Sequence, residues 1–202
     1  RDFCLSRGLG DVYKRQNQVL IPLEKLYRRY TGESLAVKLS DFADVSERIQ
    51  YLVTQVEEIT KIDNFGAYLT AMLEIDAFFM NEDRHTNNIA VIYNEKTQKY
   101  ELSPFFDQGL CMFADINQDY PIDQSLEYCL EKIEAKPFSS DFDIQLDAAE
   151  ELYGVQIGFQ FTFKDIQIYL QKNSENYPRE VIRRVEQLLR GQMRKYGYLM
   201  KK

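Results

Sequence analysis

Cysteine, histidine and tryptophan are scarce in this chain. Its 202 residues include three cysteines, one histidine and no tryptophan. The cysteines lack paired spacing, so neither a disulfide framework nor a zinc site is indicated. No apolar run approaches the roughly 18 to 20 residues that a membrane-spanning helix needs. We therefore expect a soluble cytoplasmic domain with no membrane contact.

Positive charge is also in short supply. Lysine and arginine number 25 against 32 aspartates and glutamates, which gives a formal net charge of −7. Nonspecific binding to nucleic acids or to anionic membranes requires a basic surface. The charge balance therefore argues against a partner of either kind, and we expect no direct contact with nucleic acid.

The first 16 residues, RDFCLSRGLGDVYKRQ, differ from the rest of the chain. They show no amphipathic period, and they lack the apolar core of a signal peptide. The string resembles a translated cloning or sequencing adaptor, so we interpret residues 1–16 as non-native and residues 17–202 as one domain. A genuine, disordered N-terminal arm is the alternative.

Helical spacing of apolar residues dominates residues 17–202, with one short strand pair near the middle. The pattern predicts an α+β domain that is predominantly α-helical. Helix boundaries are marked by Pro22, Gly32, Asp44, Thr162 and Pro178. The helices are predicted near 22–32, 44–56, 63–80, 126–133, 141 onward, 162 onward and 178–196.

The stretch NEDRHTNNIAVIYNEKTQKYELSPFFDQG, residues 81–109, holds the candidate site. Asp83 precedes Asn88 by five positions, and Asp107 follows on the far side of a predicted hairpin. Strands at 89–93 and 100–102, joined by a polar turn, would bring the two ends of the hairpin together. Asn88 and Asp107 could then face one ion.

This spacing is typical of phosphotransferases. Phosphoryl transfer depends on placing Mg²⁺ against phosphate oxygens and on orienting the attacking hydroxyl, so an Asp base, an Asn and a second Asp suffice. Aspartate and asparagine are also common in turns for structural reasons. The lead-in helix, the strand pair and the second Asp together favour the catalytic interpretation over that alternative.

Two motifs in this stretch resemble the catalytic core of HipA-like serine/threonine kinases, a branch of the protein-kinase-like fold. NEDRHTNN is similar to the family's N-x-D-x-H-x-x-N segment, and LSPFFD is similar to its leucine-proline-aromatic segment ending in a metal-binding Asp. DRHTNNI also resembles a signature of phosphatidylinositol kinases, but the second motif favours the HipA-like family. The matching residues are Asn81, Asp83, His85, Asn88, Leu102, Pro104, Phe106 and Asp107.

The resemblance implies a kinase C-terminal lobe in which Asp83 is the catalytic base and Asn88 and Asp107 bind Mg²⁺. ATP and Mg²⁺ are the implied cofactors, and the implied partner is a protein with a serine or threonine acceptor. Because the family includes toxins of toxin–antitoxin systems, an antitoxin is a second implied partner. Gln108 departs from the apolar residue usual after the metal-binding Asp.

His85 and Arg84, close to Asp83 in sequence, can each be interpreted either as functional or as structural residues. His85 is either a catalytic side chain near Asp107 or a phosphate, or a structural hydrogen-bonding residue. Arg84 either binds the cofactor through a phosphate, or pairs with a neighbouring carboxylate, or forms a solvated structural ion pair. Ser139 and Ser140, further along, are either autophosphorylation sites or the cap of the helix that begins near Asp141.

The upper lobe of a kinase is not visible in the sequence. No glycine-rich loop occurs outside residues 1–16, and Lys38 in LAVKLSD is poorly placed to be the nucleotide-binding lysine of a strand. We therefore expect the chain to bind Mg·ATP weakly and to have no turnover alone. Two rival functions remain: a lipid or small-molecule kinase, which would use the same three residues, and a non-catalytic pseudokinase or interaction module.

Overall fold

A computed structural model of the chain describes residues 17–201. The predicted adaptor, residues 1–16, lies outside the described residues. The fold is α+β and predominantly helical, as predicted. In chain order, the elements are β1 (Gln18–Pro22), α1 (Leu23–Thr31), α2 (Leu35–Ser40), α3 (Val45–Thr60), α4 (Phe65–Phe79), β2 (Ala90–Asn94), β3 (Lys99–Leu102), α5 (Leu126–Lys132), α6 (Phe142–Tyr153), α7 (Phe163–Lys172), α8 (Arg179–Lys195) and a final 3₁₀ turn (Gly197–Leu199).

The sheet is antiparallel, with strand order β1-β2-β3. The predicted hairpin is confirmed, with Val91 opposite Leu102 and Tyr93 opposite Tyr100. β1 was not predicted; it pairs along the other edge of β2 from Gln18–Asn94 to Pro22–Ala90. β2 therefore lies in the middle of the sheet, which fixes the position of the segment directly before it.

Helix α4 forms the centre of the molecule. Its sequence FGAYLTAMLEIDAFF is apolar on nearly every face, as expected of a helix enclosed by other elements. Phe65, Leu69, Leu73 and Phe78 are fully buried, and α3 and α6 pack against the helix. It ends at Met80, whose left-handed backbone (φ 53°) turns the chain into the candidate site. The rigid core thus supports that site directly.

Helix caps confirm several predicted boundaries. Asp44 accepts a hydrogen bond from the backbone of Glu47, and Thr162 forms a reciprocal capping box with Asp165. Gly32 ends α1 in the left-handed conformation (φ 83°) that glycine adopts easily. The cap predicted at Ser139 or Ser140 is wrong, because the Asp141 carboxylate accepts the first amides of α6.

Lys38 lies in a helix, α2, and not in a strand. Its ammonium group pairs with Asp41 at 3.1 Å on the surface. Lys38 therefore does not occupy the strand position that a nucleotide-binding lysine would need. Across residues 17–201, no helix combines the length and apolar character needed to cross a membrane.

Gly66 allows α4 to approach α6 closely. A Cβ at this position would overlap the ring of Tyr153 at the end of α6. Gly66→Ala is expected to lower the free energy of unfolding by about 1–3 kcal/mol, the usual cost of overpacking. Chemical denaturation measures this change.

The matched control for Gly66 is Gly191, which lies in α8 with open space where the methyl group of an alanine would point. Gly191→Ala should stabilise the protein by about 0.5–1 kcal/mol, because alanine loses less backbone entropy in a helix. Equal effects of the two substitutions would contradict the proposed close approach of α4 and α6.

Candidate active site

The loop after α4 folds into a compact turn that joins Asp83 to Asn88. The Asp83 carbonyl accepts hydrogen bonds from the His85 amide at 2.9 Å and from the Asn88 side chain at 2.8 Å. The Asn88 backbone amide in turn donates to the His85 carbonyl at 2.8 Å. Asp83, His85 and Asn88 therefore belong to one small hydrogen-bonded unit at the end of a buried helix.

A fully buried ion pair lies beneath this turn. The Arg84 guanidinium donates two hydrogen bonds to the Asp76 carboxylate, at 2.6 and 2.9 Å, and neither side chain is exposed. Asn81 donates a third to the same carboxylate at 2.8 Å. Burial raises the pKa of Asp76, and the hydrogen bond and charge of Arg84 oppose that shift. The ion pair and the Asn81 bond together fix the turn on α4.

Arg84 also connects the two halves of the site. Its Nη1 donates to the Asn88 carbonyl at 2.7 Å and to the Phe106 carbonyl at 2.9 Å. Phe106 directly precedes Asp107, so one buried nitrogen holds Asn88 beside the segment that carries Asp107. The hairpin is fixed at its base as well, where the Ser103 hydroxyl donates to the Ala90 carbonyl at 2.9 Å.

Asp107 has a left-handed backbone (φ 55°), a conformation that aspartate tolerates better than most residues and that is often found at functional sites. Its carboxylate forms no hydrogen bond or ion pair with another residue of 17–201, and the Asn88 Oδ1 likewise accepts none. One carboxylate and one amide oxygen with free lone pairs match what Mg²⁺ takes from a phosphotransferase site. The donor set therefore fits this ion.

The described part of the chain offers no metal site built from three or more histidine, cysteine, aspartate or glutamate side chains. No three side chains of His, Cys, Asp or Glu within residues 17–201 cluster closely enough to enclose an ion. Mg²⁺ normally keeps waters and phosphate oxygens as ligands, so two protein oxygens are sufficient only when a phosphate group is also present.

Three donors surround the Asp83 carboxylate, whose side chain is 29% exposed. Asn88 Nδ2 lies 3.4 Å from Oδ2, and His85 Nε2 and Lys136 Nζ each lie 3.7 Å from Oδ1. His85 thus faces Asp83, and its Nδ1 is buried without a hydrogen-bond partner among residues 17–201. The carboxylate remains accessible to an acceptor hydroxyl.

Arg84 is buried beneath the site, whereas a cofactor-binding residue would have to be accessible to the cofactor. The guanidinium has no exposed surface and donates to Asp76 and two carbonyls. Four of its five N–H groups donate hydrogen bonds, and because the group is fully buried it is not accessible to a phosphate. Of the interpretations of Arg84, the pair with a carboxylate matches its position, and that pair is buried and not solvated.

Residues 120–124, which follow Asp107 in the chain, contact both the candidate site and the last helix. The Tyr120 hydroxyl donates a short hydrogen bond to the Glu82 carboxylate, next to Asp83. Burial raises the pKa of Glu82, and the Tyr120 bond and the charge of Lys136 act against that shift. From α8, the buried Arg184 guanidinium donates to the carbonyls of Tyr120, Pro121 and Gln124. Residues 120–124 are therefore held against both the site and the last helix.

Sequence reasoning missed Asp76, Lys136 and Arg184. Asp76 had a usable signal, because a charged residue in an otherwise apolar helix requires a buried partner. Lys136 and Arg184 are distant in sequence from the residues they contact, and no local pattern identifies them.

The candidate site does not coincide with either of two cavities formed by the described residues. Two cavities of about 650 and 350 Å³ lie elsewhere, one between α5, α6 and α8 and the other between residues 111–116 and helices α7 and α8. Neither is lined by Asp83, Asn88 or Asp107. No family model, curated protein or solved structure matches the chain.

Proposed function

We propose that this chain is the C-terminal lobe of a Mg²⁺-dependent, HipA-like protein kinase, which transfers the γ-phosphoryl group of ATP to a serine or threonine hydroxyl. Asp83 is the base, and Asn88 and Asp107 hold the metal. The observation that carries the proposal is the Arg84 guanidinium, which ties the Asn88 carbonyl and the Phe106 carbonyl to one nitrogen. It supports a site in which the three residues act on one ligand.

Each side chain has a defined task. Asp83, partly exposed, accepts the proton of the acceptor hydroxyl as that oxygen attacks phosphorus, and its turn holds it in place. Asn88 and Asp107 present oxygens to Mg²⁺, which when bound neutralises charge on the phosphates. The bond between the γ-phosphorus and the bridging oxygen breaks, and ADP leaves with the electron pair.

A protein acceptor fits the charge of the chain better than an anionic lipid does. The formal net charge is −7, and a phosphoinositide headgroup would be repelled by an acidic surface. Radiolabelled ATP, given to the native protein that carries residues 17–202 in parallel with protein extract and with phosphoinositide vesicles, separates the two substrate classes. Label on protein supports the proposal, and label on lipid alone supports the lipid-kinase alternative.

Metal binding can be tested on the 202-residue chain with Mn²⁺ as a paramagnetic substitute for Mg²⁺. In the presence of ADP, low Mn²⁺ concentrations should broaden the NMR amide signals around Asn88 and Asp107 before those elsewhere. Asp107→Asn removes the only charged ligand and should weaken this binding by about tenfold or more.

The matched control is Asp123→Asn, since Asp123 is exposed and has no hydrogen bond or ion pair with a residue of 17–201. That variant should bind Mn²⁺ like the wild-type chain. Broadening spread evenly over the acidic surface, or broadening that is unchanged in Asp107→Asn, would contradict the proposed metal site and favour a non-catalytic module.

A further inference from the structure

Lys136 reaches the candidate site from a turn that is itself well fixed. The Ala135 amide donates to the Ser140 carbonyl at 2.8 Å, which closes the turn formed by residues 135–140. Arg48 on α3 donates to the Phe138 carbonyl at 2.7 Å, and the Phe138 side chain is fully buried. The backbone under Lys136 is therefore held by the core, and its half-exposed side chain extends over the site.

The Lys136 ammonium group lies beside the proposed base without being committed to it. Nζ is 3.7 Å from Asp83 Oδ1, and the Lys136 side chain is 50% exposed. Charge-assisted hydrogen bonds between these group types are shorter, about 2.7–2.9 Å. Because the two groups are 3.7 Å apart and partly exposed to solvent, their ion pair is weak, and the ammonium group can turn toward another nearby anion at little cost in free energy.

Phosphoryl transfer creates a demand for such a cation. Negative charge is spread over the three equatorial oxygens of the transferred group, and arginine or lysine commonly stabilises it. Arg84 cannot do so, because its guanidinium is buried against Asp76. Within residues 17–201, Lys136 is the one lysine or arginine that forms an ion pair with Asp83, and none forms one with Asp107.

We propose that Lys136 is a further catalytic residue that binds the γ-phosphoryl group of the nucleoside triphosphate during transfer. This inference rests on the proposed function. Asp83 takes the hydroxyl proton, the new oxygen–phosphorus bond forms as the bond to ADP breaks, and Lys136 keeps its own protons throughout. Its ammonium pairs with Asp83 before the triphosphate binds, and with the γ-phosphoryl oxygens afterwards.

Binding of two nucleotides to the 202-residue chain tests this role without relying on turnover. Mg·AMP-PNP contains a γ-phosphoryl group and Mg·ADP does not, and NMR titration detects weak binding of either. Lys136→Met should weaken Mg·AMP-PNP binding by about tenfold or more and Mg·ADP binding by less than about twofold. Lys136→Arg, which keeps the charge, should retain most of the preference.

The matched control is Lys132→Met. Lys132 is also partly exposed, belongs to the neighbouring helix α5, pairs with Asp119 at 3.0 Å and forms no ion pair with Asp83 among residues 17–201. Lys132→Met should leave the affinities for Mg·AMP-PNP and for Mg·ADP unchanged. An unaltered ratio of the two affinities in Lys136→Met, or equal weakening of both, overturns the role of Lys136 and leaves the proposed function standing. Failure of the wild-type chain to bind either nucleotide overturns both.

Discussion

Arg84→Met is expected to destabilise the chain by roughly 3–5 kcal/mol, because it leaves a buried carboxylate without its counter-charge. Asp76 and Arg84 are both fully buried, and Arg84 supplies two of the three hydrogen bonds that Asp76 accepts from side chains. Since domains of this size are stable by only about 5–15 kcal/mol, the loss approaches the whole stability of a marginal protein. Urea denaturation followed by circular dichroism measures it.

Two further variants distinguish the stability lost by leaving a buried charge unpaired from the stability lost by removing any arginine side chain. Arg84→Met combined with Asp76→Leu removes both charges and should recover a substantial part of the stability, since replacing both partners of a buried pair is often tolerated. Arg28→Met breaks an ion pair with Glu24 in which Arg28 is 62% exposed, and should cost less than about 1 kcal/mol. A loss for Arg84→Met no larger than that for Arg28→Met would refute the assigned role.

The same ion pair shows what could be predicted from sequence. Local patterns located α4 and the β2–β3 hairpin, because apolar periodicity and turn residues act over a few neighbouring positions. From these elements the proximity of Asn88 and Asp107 followed directly. The interaction that fixes that proximity, from Arg84 to both backbone segments, depends on tertiary packing and has no local signal.

Other misses have the same physical origin. β1 has only five residues and is defined by its pairing with β2, so its own sequence QVLIP carries little strand signal. At the start of α6, both Ser139 and Asp141 are good capping residues; Asp141 supplies the cap, and Ser139 accepts a hydrogen bond from the Asp141 amide instead. Lys136 contacts Asp83 only because the 135–140 turn packs on the core.

Asp83→Asn should reduce phosphoryl transfer by at least about 100-fold, and by up to about 10⁴-fold, in the native protein that carries residues 17–202. The substitution removes the proton acceptor and should preserve the turn, because the two shorter hydrogen bonds, from the His85 amide and the Asn88 side chain, go to the Asp83 carbonyl. The carboxylate accepts only the longer bond of 3.4 Å from Asn88 Nδ2, and the side-chain oxygen of asparagine can accept that bond too. Folding and Mg·ADP affinity should therefore stay close to wild type. Transfer of radiolabel from γ-labelled ATP to protein measures the rate.

Asp107→Ala should abolish transfer by a different route, since it removes the charged metal ligand and also weakens Mg·nucleotide binding. The comparison of the two variants is decisive: loss of rate with retained affinity marks a base, whereas loss of both marks a metal ligand. Glu82→Gln, adjacent to Asp83 and bonded to Tyr120, is the control for a local charge change and should retain far more activity than Asp83→Asn. Wild-type rates in Asp83→Asn or Asp107→Ala would rule out the assigned chemistry, because the proposal gives the proton transfer to Asp83 and the charged metal contact to Asp107 alone.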